Sequence, residues 1–176
     1  MNGLNKQQWE EILEKIGSAT NAKICLIGSA ACIFSGMEGR TSIDLDVWKP
    51  KSQFDTPQLR KATEAAGLLF NPTSTYVDKP YIQIVEPGIV QVGNFNKEED
   101  ILNAGGLSVT RPPIENIIAS KLVRGDAKDI EDIAHLMVSQ PDLSKVKAAI
   151  ESMPERQKLQ AMENFVFIEV LSEPNI

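Results

Sequence analysis

The sequence predicts an α/β protein, a small mixed β-sheet with helices packed on it followed by a C-terminal helical region. Three observations carry this. The run Lys23-Ile24-Cys25-Leu26-Ile27 ends at Gly28-Ser29 and passes into Ala30-Ala31-Cys32-Ile33-Phe34, the pattern of a strand, a tight turn and a helix. A second strand pattern, Ile43-Asp44-Leu45-Asp46-Val47, alternates apolar and acidic residues. Pro112-Pro113 then excludes both a helix interior and a central strand, and every segment beyond it has helical character. On sequence the chain divides into an α/β core, residues 1–111, and a helical region, residues 112–176, packed on that core. At 176 residues and 42% hydrophobic, it can bury one core.

In chain order, Trp9, Ile12, Leu13 and Ile16 fall at i, i+3, i+4 and i+7, which predicts an amphipathic helix over residues 5–16 closed near Gly17. Trp48-Lys49-Pro50-Lys51 ends the acidic strand, because proline cannot donate to a ladder. Pro57 through Ala66 is predicted to be a helix that starts at proline, with Gly67 just past its end. Tyr81–Val85 and Ile89–Val92 have strand character about Pro87-Gly88, a turn pair that predicts a hairpin. Glu98-Glu99-Asp100 suits a solvated helix start, where acidic residues favour the dipole, and Leu107-Ser108-Val109 is a short strand. After the prolines, helices are expected over Ile114–Arg124, Ala127–Ser139, Leu143–Met153 and Glu155–Leu171.

Composition narrows the function classes. A net charge of −6 argues against a large preformed nucleic-acid footprint, which needs clustered Lys and Arg. The opening Met-Asn-Gly-Leu-Asn-Lys lacks the apolar core of a signal peptide, and no run approaches the roughly 20 apolar residues of a membrane span. A cytoplasmic location with no membrane partner is expected. Cys25 and Cys32 have no Cys-x-x-Cys partner, so buried free thiols are expected rather than a disulfide or a zinc site.

The acidic strand carries the chemistry. Asp44 and Asp46 point the same way, roughly 7 Å apart, while Leu45 and Val47 face the opposite side. Such a pair can hold magnesium ions of the kind that, about 3.5–4 Å apart, clamp an in-line phosphoryl or nucleotidyl transfer. Gly28 permits close backbone approach at a turn where free N–H groups meet a phosphate, and Ser29 adds a hydroxyl. The bland alternative for a bare Asp-x-Asp is a solvated strand face ending in an acidic turn.

Gly28-Ser29 followed by Asp44-Leu45-Asp46-Val47 resembles the signature of the nucleotidyltransferase superfamily that includes DNA polymerase β and small bacterial nucleotidyltransferases. Arg40-Thr41-Ser42 is similar to the lead-in of the branch containing the abortive-infection toxin nucleotidyltransferases. Pro113-Ile114-Glu115 through Lys121, then Lys128-Asp129 and Asp132, resemble that branch's helical motifs. The resemblance covers about residues 20–136. It implies a nucleotidyltransferase-like mixed sheet flanked by helices. It also implies Mg2+- or Mn2+-dependent transfer of a nucleoside monophosphate from a nucleoside triphosphate to an RNA or protein acceptor, in a bacterial toxin or phage-defence setting with an antitoxin partner. Asp44 and Asp46 would hold metal and act in catalysis. Gly28, Ser29, Arg40, Thr41 and Lys121 would bind nucleotide, and Lys121 and Asp129 would support catalysis.

The sequence departs from the family in two places. The spacer between Ser29 and Asp44 is slightly longer than the commonest pattern, which the toxin-like branch tolerates. The slot for a third carboxylate, in Tyr81-Ile82-Gln83-Ile84-Val85-Glu86, holds Gln83; Glu86 is the nearest acid and Asp78 lies just before the strand. Glu86 is the favoured third acid, although alternation puts it on the face of Ile82 and Ile84. This slot leaves open a catalytically silent module that binds a nucleotide or a partner protein. Lys121 and Arg124 on one helix, and Asp129 and Asp132 on the next, neighbour each other at i, i+3 around Gly125. They either face a triphosphate or pair at the surface. His135 has no second metal ligand and is read as a structural or rim residue rather than a catalytic base. Trp9 is expected in the core, while Trp48, Tyr76 and Tyr81 remain open as base-stacking residues.

Overall fold

Asn5 opens the first helix with a capping box, its side chain accepting from the Gln8 N–H while the Gln8 side chain accepts from the Asn5 N–H, and α1 runs over Lys6–Ala19. The computed structural model describes residues 3–74 and 77–173. The chain forms two units, Met1–Pro87 with Glu98–Arg111, and Gly88–Lys97 with Pro112–Ile176.

The first unit is a six-stranded mixed sheet with helices. After α1 come β1 (Ala22–Ile27), α2 (Gly28–Ile33), β2 (Asp44–Trp48), α3 (Thr56–Ala65), β3 (Leu69–Phe70), β4 (Tyr81–Val85), β5 (Glu99–Ala104) and β6 (Leu107–Arg111). The strand order is β3-β4-β2-β1-β6-β5. β2 runs antiparallel to β1 and parallel to β4, and β1 runs parallel to β6. One core joins Trp9, Leu13 and Ile16 of α1 to Leu59 and Ala62 of α3 and to Ile24, Leu26, Leu45, Val47, Ile82 and Val109 of the sheet. This buries the apolar half of β2 and sends its acidic half to the other side of the sheet.

Two local expectations for this unit differ from the structure. Gly17 lies inside α1 rather than at its end, because a Cβ there would collide with the Ala104 carbonyl; the glycine marks a close approach to β5, not a stop. Glu98-Glu99-Asp100 leads into strand β5, not a helix. Pairing with β6 decides this edge strand, and Glu99 meets Arg111 across the pair at 2.7 Å. β3, two residues long, gave no usable periodicity in the sequence.

The second unit holds α4 (Ile114–Arg124), α5 (Ala127–Met137), α6 (Leu143–Glu151), α7 (Glu155–Asn164) and α8 (Val166–Ser172). Ile118, Leu122, Ile133, Val146, Ile150, Ala161 and Ile168 are fully buried in it. Gly125 ends α4 in the left-handed region, φ +63, a conformation that suits glycine at a helix end. The segment expected as strand Ile89–Val92 forms no strand. The Val92 carbonyl instead accepts from Asn116 Nδ2 at 2.8 Å, Asn94 N–H donates to Ser152 Oγ at 2.7 Å, and Gly93 lies against the Ala149 carbonyl. Side chains of the helices thus take the hydrogen bonds that a hairpin would have made. The single helix expected over Glu155–Leu171 breaks at Phe165, whose N–H turns to the Met162 carbonyl at 3.2 Å. Among the described residues no helix is long and apolar enough to cross a membrane.

Candidate active site

β2 and β4 define the site's floor. Their parallel register sets Asp44 beside Tyr81 and Asp46 beside Gln83, so these four half-buried residues share one face. Leu45 and Ile82, one step along, share the opposite face and are fully buried. The apolar residues of each strand thereby hold the polar ones in place.

Asp44 is oriented at both oxygens. Ser42 Oγ donates to Oδ1 at 2.7 Å, and the Tyr81 hydroxyl donates to Oδ2 at 3.2 Å. Both donors are neutral, and a carboxylate has about four lone-pair positions, so two bonds leave acceptor capacity for a cation. Burial first, then the charge and hydrogen bond of Asp44, push the Tyr81 phenol up to about 12. In the sequence Ser42 stands out only as the end of the Arg40-Thr41-Ser42 lead-in. The alternation Ser42, Asp44, Asp46 was the signal that it shares their face. Tyr81, open on sequence as a stacking residue, has its hydroxyl bonded to the carboxylate.

Gly28 adopts φ +65, and a Cβ there would stand 2.8 Å from Asp46 Oδ2. Only a residue without a side chain brings the backbone so close to that carboxylate in that conformation. Ser29 follows, half-buried, in the first turn of α2. Arg40 is half-buried and Thr41 exposed in the segment entering β2.

The remaining acids of this unit lie elsewhere. Glu86 follows the last residue of β4, is exposed, and pairs with Lys49 Nζ at 2.5 Å. Asp78 lies in the loop before β4. Among the described residues, no group of three or more His, Cys, Asp or Glu side chains is placed to hold a metal ion. Gln83, not Glu86, is the residue in register with Asp46. Trp48 is buried at 6% exposure, which leaves its ring no open face for a base, and Trp9 lies in the core. Tyr76 lies outside the described residues.

Lys121 and Asp129 belong to the second unit. Lys121, 7% exposed, is held by Asp132 Oδ2 at 2.6 Å and Asp129 Oδ1 at 3.4 Å. Arg124 closes on Asp129 with two parallel bonds, Nε to Oδ2 at 2.7 Å and Nη2 to Oδ1 at 2.9 Å. The basic and acidic pairs thus meet each other: Lys121, Asp129 and Asp132 are buried together, and the exposed Arg124 closes over Asp129 from the surface. His135 is half-buried in the last turn of α5.

Two carboxylates side by side form a hard-oxygen donor set of the kind that binds Mg2+ or Mn2+ together with substrate phosphates. The glycine-cradled Asp46 and the hydroxyl-oriented Asp44 fit such an ion. The mixed sheet with its helices, carrying paired aspartates beside a Gly-Ser turn, has a nucleotidyltransferase-like architecture. The chain belongs to the family described as "Nucleotidyltransferase of unknown function (DUF6036)", whose model matches residues 6–170. In fold it is similar to an antigenic nucleotidyltransferase-like protein from Paracoccidioides brasiliensis, with a TM-score of 0.57 and 16% identity over 93% of this chain and 89% of that one. No curated protein matches the sequence.

Proposed function

We propose that the chain binds a nucleoside triphosphate with one divalent cation on the Asp44–Asp46 face and transfers the nucleoside monophosphate to an acceptor hydroxyl, releasing pyrophosphate. The observation that carries this is the approach of Gly28 to Asp46 on the strand that also carries Asp44. It sets a backbone with no side chain against a carboxylate pair, a place where phosphate oxygens and a shared cation fit. Asp44 and Asp46 would hold the ion, which when bound neutralises charge on the triphosphate. Ser42 and Tyr81 keep the Asp44 carboxylate aimed. Gly28 and Ser29 leave room for phosphate and offer it a hydroxyl. Such transfer needs positioning and electrostatics rather than a covalent nucleophile from the protein.

The acceptor is proposed to be RNA or protein, and the setting a toxin or phage-defence system. Both rest on the resemblance of the Arg40-Thr41-Ser42 lead-in and the Lys121, Asp129 and Asp132 motifs to the toxin branch. Within that reading Lys121 and Asp129 act by fixing α4 against α5.

A second reading is favoured by Gln83. With an amide beside Asp46, the site binds nucleotide and cation but lacks an acid to take the acceptor's proton, and the chain is a silent nucleotide-binding module. Calorimetry with each of the four nucleoside triphosphates, with and without Mg2+ or Mn2+, tests binding. Labelled triphosphates with total cellular RNA or protein test transfer. Metal-dependent binding with labelled acceptor supports the transferase, metal-dependent binding without it supports the silent module, and no metal-dependent binding overturns both.

A further inference from the structure

Gln83 lies on the face of the carboxylates, and its amide is held in one orientation by the Asn71 side chain. Asn71 sits just past β3 with φ +49, a left-handed conformation that asparagine adopts more readily than most residues. Its side-chain oxygen lies 3.1 Å from the Ile84 backbone nitrogen. A backbone N–H only donates, so the Asn71 atom facing it is the oxygen. That same Oδ1 lies 2.5 Å from the Gln83 amide, and an oxygen there meets the Nε2 end. Gln83 Oε1 is therefore the end turned away from Asn71. Gln83 is also in register with Asp46, one strand spacing of about 4.8 Å away, on the face of the carboxylates.

We infer that Gln83 Oε1 is the third oxygen donor of the Asp44–Asp46 cation site, a neutral carbonyl standing where an acid would otherwise be. This rests on the cation–nucleotide reading above. Amide carbonyls ligate hard cations, and affinity is tuned by how many ligands are charged. Two carboxylates and an amide bring two negative charges rather than three. Such a site binds a bare cation weakly and a cation already carrying triphosphate oxygens well. An amide accepts no proton near neutral pH, so Gln83 positions the ion and does not activate the acceptor. Asn71 is the positioning residue behind it, acting only through the amide it orients.

The test uses the full chain with Mn2+ alone and Mn2+ with each of the four nucleoside triphosphates. Binding is read by the loss of free-ion signal, and the ion's position by paramagnetic broadening of the Gln83 side-chain amide resonances. The expected result is selective broadening of that amide in the unsubstituted protein. Gln83→Leu should weaken Mn2+–nucleotide binding about tenfold, and Gln83→Glu should tighten binding of bare Mn2+ about tenfold. Asn71→Ala should weaken binding severalfold with the glutamine still present. Should Gln83→Leu not fold, the broadening and the Gln83→Glu result decide. If Asp44→Asn with Asp46→Asn abolishes binding while the amide is not broadened and Gln83→Leu and Asn71→Ala bind normally, the inference falls and the nucleotide reading stands. If the double aspartate variant binds Mn2+–nucleotide normally, the nucleotide reading fails and the inference with it.

Discussion

In the helical unit, Asp132 is fully buried and Asp129 is 2% exposed, and their carboxylates meet Lys121 and Arg124. In the sheet unit, Asp44 is half-buried and its hydrogen bonds come from two hydroxyls, those of Ser42 and Tyr81. The contrast lies in the partner. A cationic side chain neutralises a carboxylate and uses it for structure, whereas a hydroxyl fixes the carboxylate's direction and leaves its charge in place. Removing a carboxylate should therefore have opposite consequences in the two units, on stability in one and on ligand binding in the other.

The largest effect is expected where charge is buried and answered. Asp132→Ala leaves the Lys121 ammonium, 7% exposed, without its shortest partner at 2.6 Å. Breaking a buried ion pair by removing one member costs about 3–5 kcal/mol. Urea unfolding should show that loss, and the double variant Lys121→Met with Asp132→Leu should recover most of it. A single variant within 1 kcal/mol of the parent, as for an exposed ion pair at about 0–1 kcal/mol, would place this cluster with ordinary surface charge.

The sheet unit should respond the other way. Asp44→Asn with Asp46→Asn removes two neighbouring like charges, so stability should hold or rise slightly. Metal-dependent nucleotide binding should fall by roughly a hundredfold, and Tyr81→Phe, which removes only an orienting bond, by about tenfold. Calorimetry beside urea unfolding separates the two readouts. Equal loss of stability in both units would erase the contrast.

A smaller effect lies in the alkaline limb. Tyr81 is raised from 10.0 to about 12, by burial first and by Asp44 second. The folded phenol keeps its proton where the unfolded chain has lost it, so this contribution to stability is whole below about pH 10 and disappears as pH rises towards 12. Phenolate absorbance in a Tyr76→Phe background follows Tyr81 alone. Asp44→Asn should lower the midpoint without returning it to the ordinary value, since burial remains. An unmoved midpoint would mean that the hydroxyl does not sense Asp44.

What the sequence made legible follows the same division. α4 was readable to the residue, Ile114–Arg124, because proline before it and glycine after it act locally. The acidic strand was readable because alternation is a property of neighbours in the chain. β5 was not, since its acidic residues become a strand only by pairing with β6. Nor was the fate of residues 88–97, whose carbonyls and N–H groups find Asn116 and Ser152, far along the chain. At the site, Asp44 and Asp46 stood out, but the partners that orient them did not. Tyr81 is 37 residues from Asp44 and Asn71 is 12 from Gln83. For Lys121 the sequence left a triphosphate-facing cation and a surface pair both open, because helical spacing shows which residues share a face, not what covers it.

Glu86 should give the smallest effect and bears most directly on the missing third acid. Its side chain is 51% exposed and pairs with Lys49, itself 54% exposed, beyond the end of β4. By alternation it falls on the face of Ile82 and Ile84, opposite Asp46 and Gln83. An exposed pair of this kind contributes about 0–1 kcal/mol. Glu86→Gln should therefore leave nucleotide affinity unchanged, shift unfolding by less than about 1 kcal/mol, and leave any transfer activity intact. Lys49→Met should match it, since both remove the same exposed contact. Loss of transfer in Glu86→Gln with affinity retained and Lys49→Met active would identify Glu86 as the group that takes the acceptor's proton. The strand end would then have to turn when substrate binds, and Gln83 would no longer define the chemistry of the slot.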